Sequence, residues 1–564
     1  MTKRRNADGT EVRYYQLADN VWDPEKRCAV AQVVYNFGRA DQLDPSKLRR
    51  LADSVLRVLP AEANAVARED LQIVRAWPYG GVYVLDALWR ELGVDQALRE
   101  QLLAAKIKQP FERALFAMVA NRALQPYSKL FCHEQWVPEE VFLPSASALQ
   151  LHHLYFGLTF LEENKEAIER AVYFRMADLM NADVDLIFYD TTSLHCEIDE
   201  EDEEEFARES LSHPGEMHSY PPLRRRGYSK NGREDAPQIV VGLAVTRDGL
   251  PVRSWVFPGQ TRDSTTVAKV KEDLKGWRLG RCIFVGDAGM NTDENRRSLS
   301  LGGGKYILAS KMRDGDEVST EVLTRAGRYH EVRDNLRVKE VVVGDGEARR
   351  RYVVCSNLDE AARQARHREE ILELLERELA TLRQTASGKH SKRACELLTT
   401  PRFRRYLRQT TRGKLKIERA AVARESVLDG KWVVTTNDDT LTVEDLALGY
   451  KQLMRVEACW RTMKSGLRTR PMHHFRPHRI SAHVSLCVQA LLLERIAEIR
   501  TGDTWRNLRA LLEKIQVVEY IRGGVRVRQT TEIQPDVLAV LKRLGVPPRL
   551  RLHELAEAPA PDAA

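Results

Sequence analysis

Asp190 in F-Y-D-T-T-S, Asp287 in F-V-G-D-A-G and Glu457 in R-V-E-A-C-W are the acids whose surroundings suggest shared chemistry. Each aspartate closes a continuous apolar run, VDLIFYD or RCIFVGD, of the kind that forms a strand buried on both faces. In an open α/β sheet, the ends of such strands border the ligand crevice. Gly286 and Gly289 are expected to let the backbone turn sharply around Asp287 and leave its carboxylate bare. Glu457 lies in the helical stretch 442–467, which would pack beside the first strand. Two Asp and one Glu supply hard oxygen ligands, which favour Mg²⁺ or Mn²⁺ over zinc. Two such ions ~4 Å apart serve phosphoryl transfer on nucleic acid, one activating the attacking hydroxyl and one steadying the leaving oxygen. An Asp after a strand is also an ordinary turn former, so neither D-T-T nor G-D-A-G is specific alone.

The helix around Glu457 adds a second signal. Tyr450, Glu457 and Lys464 stand at i, i+7 and i+14, which keeps them on one stripe of a helix, and Arg461 joins them one turn past Glu457. The sequel K-S-G-L-R-T-R-P-M-H-H-F is rich in cations and poor in acids, so Arg468, Arg470 and His473 are candidate phosphate contacts. Residues 389–424 carry 12 Lys/Arg against 2 Asp/Glu, with Phe403 and Tyr406 interleaved; a local excess this large favours DNA contact through residues such as Arg404 and Arg405. Arg225 and Lys230 in R-R-R-G-Y-S-K form a second candidate phosphate track. The run Glu197–Glu205 holds eight carboxylates in nine residues and reads as a solvated, extended loop without chemistry.

The elements that must position these groups follow from pattern. Residues 12–38 read as strands and 76–180 as a helical region. A buried strand at 184–190, a hairpin turning at Asp248-Gly249, a helix opened by Asp263-Ser264 and buried strands at 281–287 and 305–311 come next. The period then shifts: strands, a heptad-like helix with Ala365, Leu372, Leu375, Leu379 and Leu382 on one seam, the basic segment and the strand KWVVTTN precede two long helices. Apart from this insertion, the order is that of a ribonuclease H-like mixed α/β fold with an inserted β-rich and helical subdomain. The expected domains are 1–75 (β-containing), 76–180 (helical, possibly binding DNA ends), 181–311 and 441–505 (the two parts of the catalytic domain), 312–440 (the insertion) and 506–564 (a hairpin at Gly523-Gly524, a short helix and a frayed tail).

The chain has 564 residues, enough for three or four domains, and its apolar fraction of 43% excludes wholesale disorder. A net charge of +7 suits a polyanionic partner only because the positive charge is clustered. Eight scattered Cys without a C-x-x-C pair argue against a zinc ribbon or disulfide scaffold and for a reducing compartment. No apolar leader is visible, and the stretch VSLCVQALLL breaks at Glu494, too short for a bilayer. A soluble cytoplasmic protein with no membrane partner is expected.

Together Y-D-T-T, G-Y-S-K-N-G-R-E-D-A-P-Q-I-V-V-G-L, G-L-P-V-R-S-W-V-F-P-G-Q-T-R-D-S-T-T, G-D-A-G-M, Y-K-Q-L-M-R-V-E-A-C-W-R-T-M-K and R-P-M-H-H-F resemble a DDE transposase of a bacterial insertion sequence. The similar branch carries a Y-R-E-K signature and a β-rich insertion before the catalytic helix, and the likeness runs from about residue 185 to 500. It implies Asp190, Asp287 and Glu457 as catalytic, metal-holding residues, two Mg²⁺ ions with Mn²⁺ as a substitute, and Tyr450 and Lys464 as DNA contacts. The signature's arginine is absent: position 453 is Leu, Arg455 would point to the other side, and Arg461 is the candidate substitute. Likeness to members with DNA hairpin ends would allow Trp432 to stack on an extruded base, although such a Trp is more often core. The implied partners are the element's terminal inverted repeats and target DNA, bridged by at least a homodimer. A domesticated DNA-binding regulator and a structure-specific nuclease on the same fold stay open as alternatives.

Overall fold

The computed structural model describes residues 2–5, 11–23, 28–39, 71–180, 185–230, 232–277, 282–313, 317–346, 349–382, 392–411, 413–548 and 552–557. The apolar runs in the middle of the chain assemble into one nine-stranded mixed sheet: β1 (Leu186–His195), β2 (Gln238–Val245), β3 (Pro251–Pro258), β4 (Ile283–Gly286), β5 (Lys305–Ser310), β6 (His330–Arg333), β7 (Leu336–Val343), β8 (Arg350–Ser356) and β9 (Lys431–Thr436). Their spatial order is β6-β7-β8-β9-β5-β4-β1-β2-β3, with β4 parallel to both β1 and β5 and the other pairs antiparallel. The segment β3-β2-β1-β4-β5 is the ribonuclease H-like order. The β2–β3 hairpin turns at Asp248-Gly249, where Gly249 takes the left-handed backbone (φ 76) that the turn demands.

The helices α1 (Phe111–Leu124), α2 (Leu151–Glu163) and α3 (Lys165–Met180) precede the sheet. The crossovers are α4 (Asp263–Asp273), between β3 and β4, and α5 (Asp293–Ser300), between β4 and β5. Helix α6 (Leu358–Thr381) follows β8, and α7 (Val443–Lys451), α8 (Met454–Arg461) and α9 (Pro477–Thr501) follow β9. Helix α9 packs against α1, α2 and β3 and is apolar nearly all round, as a helix enclosed by its own protein must be. It has the length and hydropathy of a bilayer span, but 94% of its apolar window is buried within this chain. The apolar run ends at Glu494 as expected, but the helix continues past it and carries that carboxyl into the interior.

Two domain expectations change. The helices of 76–180 are not a separate body: one hydrophobic cluster runs from Val82 through the sheet to Val546. The strands of the insertion do not form their own sheet either. β9 pairs with both β5 and β8, so β6 to β9 lengthen the existing sheet by saturating the open edge of β5. On one face of these strands Val318, Val322, Val341, Tyr352 and Val433 form a small cluster, and the part between β8 and β9 forms a lobe built on Leu375, Leu397, Phe403, Tyr406 and Leu407. Phe403 and Tyr406 are thus core residues of that lobe rather than aromatics offered to DNA.

A second compact unit gathers Met1–Ala76, Val517–Thr531 and Arg549–Ala564, so the two chain ends expected as separate regions share one unit. It contains a three-stranded antiparallel sheet (Thr2–Arg5, Glu11–Asp23, Cys28–Arg39) and a four-stranded sheet ordered Leu552–Glu557, Val525–Thr530, Gln516–Arg522, Leu71–Pro78. The hairpin expected at Gly523-Gly524 turns there, with φ 56 and 72. The frayed tail APAPDAA lies outside the described residues.

Candidate active site

Register brings the two aspartates together. Val285 of β4 lies beside Phe188 of the parallel β1, so continuing two residues along each strand sets Asp287 beside Asp190 on the same face. Asp190 does not end its strand, as the sequence suggested. β1 continues through Thr191–His195, paired with β2, and Asp190 sits opposite Leu243. The strand that ends is β4, whose last residue, Gly286, precedes Asp287. The glycines beside Asp287 act through space rather than left-handed backbone, because neither has a positive φ. A Cβ on Gly286 would meet Leu308, Met290 and Phe284 at 3.1–3.2 Å, and one on Gly289 would touch the Asp263 carboxylate at 3.5 Å.

Helix α8 packs across β1 and β2 and supplies the third side. The single helix expected over 442–467 is broken in two places. Gln452 and Leu453 make a tight turn, with Arg455 N–H donating to the Gln452 carbonyl and Val456 N–H to that of Leu453, and Thr462–Gly466 widens into a π-turn. One overwinds and the other underwinds, so the stripe survives: the charges of Asp287, Glu457 and Asp190 are felt at Tyr450, and that of Asp190 at Lys464. Trp460 Nε1 donates to Asp190 Oδ2 at 3.1 Å.

A fourth carboxylate and a lysine complete the cluster. Asp263, read from sequence as a helix cap, begins α4 with its carboxylate turned to β1, where it accepts from the Thr191 hydroxyl at 2.5 Å. Lys230 Nζ lies 2.9 Å from Asp263 and 4.0 Å from Asp190, and it donates to the Thr191 carbonyl and hydroxyl at 2.8 Å. Lys230 is therefore a counter-charge beside these acids, while its side chain stays accessible to solvent. The only sequence hints of these roles were D-S-T-T and the lysine in G-Y-S-K.

The electrostatics follow from burial and like charge. Burial, helped by the charges of Asp287 and Asp263 and opposed by Lys230 and the Thr191 N–H, pushes the Asp190 carboxyl up to about 6. Burial, then the charges of Asp287, Glu457 and Asp190, holds the Tyr450 phenol well above its ordinary value, so it stays a protonated donor. Burial, then Arg470 and Lys230, holds the Lys464 ammonium down to about 8, against the pull of Asp190. Asp190, Asp287 and Glu457 fit a hard divalent cation by donor chemistry and by the excess negative charge around Tyr450. Among the described residues, however, no three His, Cys, Asp or Glu stand together as a closed metal-ligand set.

The other expected contacts divide. Arg468, Arg470 and His473 line one cavity, taken up below. Arg461 is exposed and lines a groove with Lys451, Arg455, Arg247 and Arg333 that is lined by none of Asp190, Asp287 and Glu457. Arg225 is occupied: its guanidinium donates to the Asp202 carbonyl at 2.7 Å and lies 3.6 Å from Glu201, while Arg224 pairs with the Asp202 carboxylate. The acidic run 197–205 is therefore the partner of the R-R-R cluster rather than a purely solvated loop. Arg404 is exposed, and Arg405 lies 3.6 Å from Glu425. Trp432 packs partly buried against the core opposite Cys355, and its indole N–H has no hydrogen-bond partner among the described residues. It is not displayed for a base.

A five-stranded ribonuclease H-like order lengthened to nine strands, with acids from β1, β4 and α8 on one side, defines the class. Residues 214–493, just under half of the chain, match the family of the transposase DDE domain. The matched span includes Asp263, Asp287, Tyr450, Glu457 and Lys464, while Asp190 lies before it. No curated protein matches the chain. Among solved structures it resembles the cryo-EM structure of a piggyBac transposase synaptic complex with hairpin DNA. That likeness covers 74% of this chain and 70% of that one, at 9% identity and a TM-score of 0.32. It is too slight to carry an argument.

Proposed function

We propose that this chain is a DNA transposase of the Y-R-E-K branch of insertion-sequence enzymes, acting in the bacterial cytoplasm. It would cut strands at the element's terminal repeats and join the freed 3′-hydroxyl to target DNA, as at least a homodimer on DNA. The observation that carries this reading is the alignment of Asp190 with Asp287 by register, with the charge of Glu457 felt at the same tyrosine as theirs, in a chain whose residues 214–493 match the DDE family.

Asp190, Asp287 and Glu457 are the residues that would hold Mg²⁺, which when bound activates the attacking oxygen and offsets charge on the leaving one. The chain's own groups prepare the site. Trp460 fixes one oxygen of Asp190, and Lys230 with Thr191 ties down Asp263. Tyr450 offers a hydroxyl donor and Lys464 a cation to phosphates flanking the scissile one, which orients the strand before reaction. Replacing any of the three acids by Ala is expected to abolish Mg²⁺-dependent cleavage of end-bearing DNA and leave end binding largely intact, since affinity rests on cations. Wild-type protein that binds ends without cutting them would favour the regulator, and one that cuts without ever joining would favour the nuclease.

A further inference from the structure

Behind the end of the α8 segment lies a cavity of about 350 Å³. Its twelve lining residues include Arg122, Lys129, Arg468, Arg470, His474 and His483, and none is a carboxylate. Three of these groups are nearly sequestered: Arg122 is 7%, Lys129 6% and His483 5% exposed. Long cationic side chains are rarely buried without an acid to pair with. Here the nearest partners are neutral or cationic. Lys129 Nζ lies 2.6 Å from His483 Nδ1, and the His474 and His483 rings are 5.2 Å apart. Arg122 donates to the carbonyls of Leu467 (3.1 Å), Arg468 (3.4 Å) and Tyr127 (2.8 Å), but its buried Nε has no partner among the described residues.

The groups show the cost of this crowding in their protonation. Burial, then Arg122, holds the Lys129 ammonium down to about 7, and burial, then Lys129, keeps His474 and His483 well below the ordinary imidazole range. A cavity that suppresses its own positive charge is one in which an anion would restore it. A phosphodiester on a duplex surface is a poor match for the floor, which is nearly closed to solvent. A terminal, tetrahedral dianion is small enough to enter and carries the charge that several cations require.

We propose that this cavity is a binding site for one phosphomonoester dianion, reached past Arg468 and Arg470 at the rim and held by Arg122 and Lys129 at the floor. Two sources present that chemistry: the 5′-phosphate of a DNA strand end, and inorganic phosphate. Its rim is linked electrostatically to the acids, since Arg470 and Asp190 both act on Lys464. It does not depend on the transposase reading.

The test uses the full chain and three probes: a short single-stranded oligonucleotide with a 5′-phosphate, the same one with a 5′-hydroxyl, and inorganic phosphate. Anisotropy is expected to give about tenfold tighter binding of the phosphorylated strand, the scale of one or two charge-assisted hydrogen bonds. Lys129→Met and, separately, the rim variant Arg470→Gln should each bring that ratio towards one while general strand affinity changes alike for both probes. Arg470 is partly exposed, so this second variant keeps the test valid if Lys129→Met does not fold. Inorganic phosphate that competes only at far higher concentration would assign the site to strand ends; equal potency would assign it to the free anion. No dependence on the phosphate in either arm, or a preference that survives in both variants, would overturn the proposal. Failure of metal-dependent cleavage would bear on the proposed function and leave this ratio unaffected.

Discussion

Trp460→Phe isolates one hydrogen bond at the centre of the site. The indole donates to Asp190 Oδ2 at 3.1 Å and is 6% exposed, so phenylalanine keeps most of the buried ring and removes the donor. A hydrogen bond to a charged group contributes about 1.5–3 kcal/mol. Asp190 retains the Thr191 N–H and the Lys230 ammonium at 4.0 Å, which places the loss at the lower end. Carried into the transition state, ~1.5 kcal/mol is about a tenfold fall in rate. The smaller ring should separately cost about 1–3 kcal/mol of stability. Single-turnover cleavage of end-bearing DNA reads the first effect, while Tm and end-binding Kd read the second. Met463→Leu, buried on the same stretch, serves as the packing control. If Trp460→Phe cleaves at the wild-type rate, or slows no more than the control, the indole N–H does not set the aspartate and the reasoning fails.

Three further outcomes are expected. Lys464→Ala should weaken end complexes and lower the salt slope of binding by about one, whereas Arg461→Ala, lining the other groove, should cost at most ~1 kcal/mol and leave strand transfer unchanged; strand-transfer assays at several salt concentrations compare them. Burial, then Glu498, holds the Glu494 carboxyl well above its ordinary value, so the folded state binds that proton more tightly and stability falls as pH rises above the unfolded carboxyl's value of about 4.3. Glu494→Gln should therefore raise Tm at about pH 8 and lose that advantage near pH 4, which scanning calorimetry across pH would show. Gly242→Ala would set a Cβ 2.5 Å from the buried Tyr189 hydroxyl and should cost about 1–3 kcal/mol, read as a lower urea midpoint.

What the sequence disclosed was local or periodic. The runs LIFYD and CIFVGD had to be buried strands, and Asp248-Gly249 and Gly523-Gly524 had to turn, because few other residues adopt those backbone angles. What stayed hidden was pairing across distance. A strand pattern does not name its neighbour, so nothing in KWVVTTN said that it would join the edge of β5. The acidic run looked like a solvated loop and R-R-R like a phosphate track because their mutual neutralisation depends on a fold that brings Asp202 to Arg224. Asp263 was concealed by its own position, since Asp at the first turn of a helix has an ordinary explanation. The break at Gln452-Leu453 carries no Gly or Pro to announce it.

The partnership of β8 with β9 has a topological consequence. Ser356 pairs with Lys431, and the Asn357 N–H donates to the Gly430 carbonyl at 2.8 Å, so the whole of 358–429 is a single loop at the tip of a hairpin. Its ends are fixed by the strands and not by its contents. The entropy of closing such a loop grows only with the logarithm of its length, roughly 0.6 kcal/mol per doubling. The lobe's size is therefore nearly neutral for the sheet that carries the acids, and its basic surface is free to diverge. The backbone leaves the sheet through Asn357 and returns through Gly430, the two residue types that by themselves make the tightest hairpin turn.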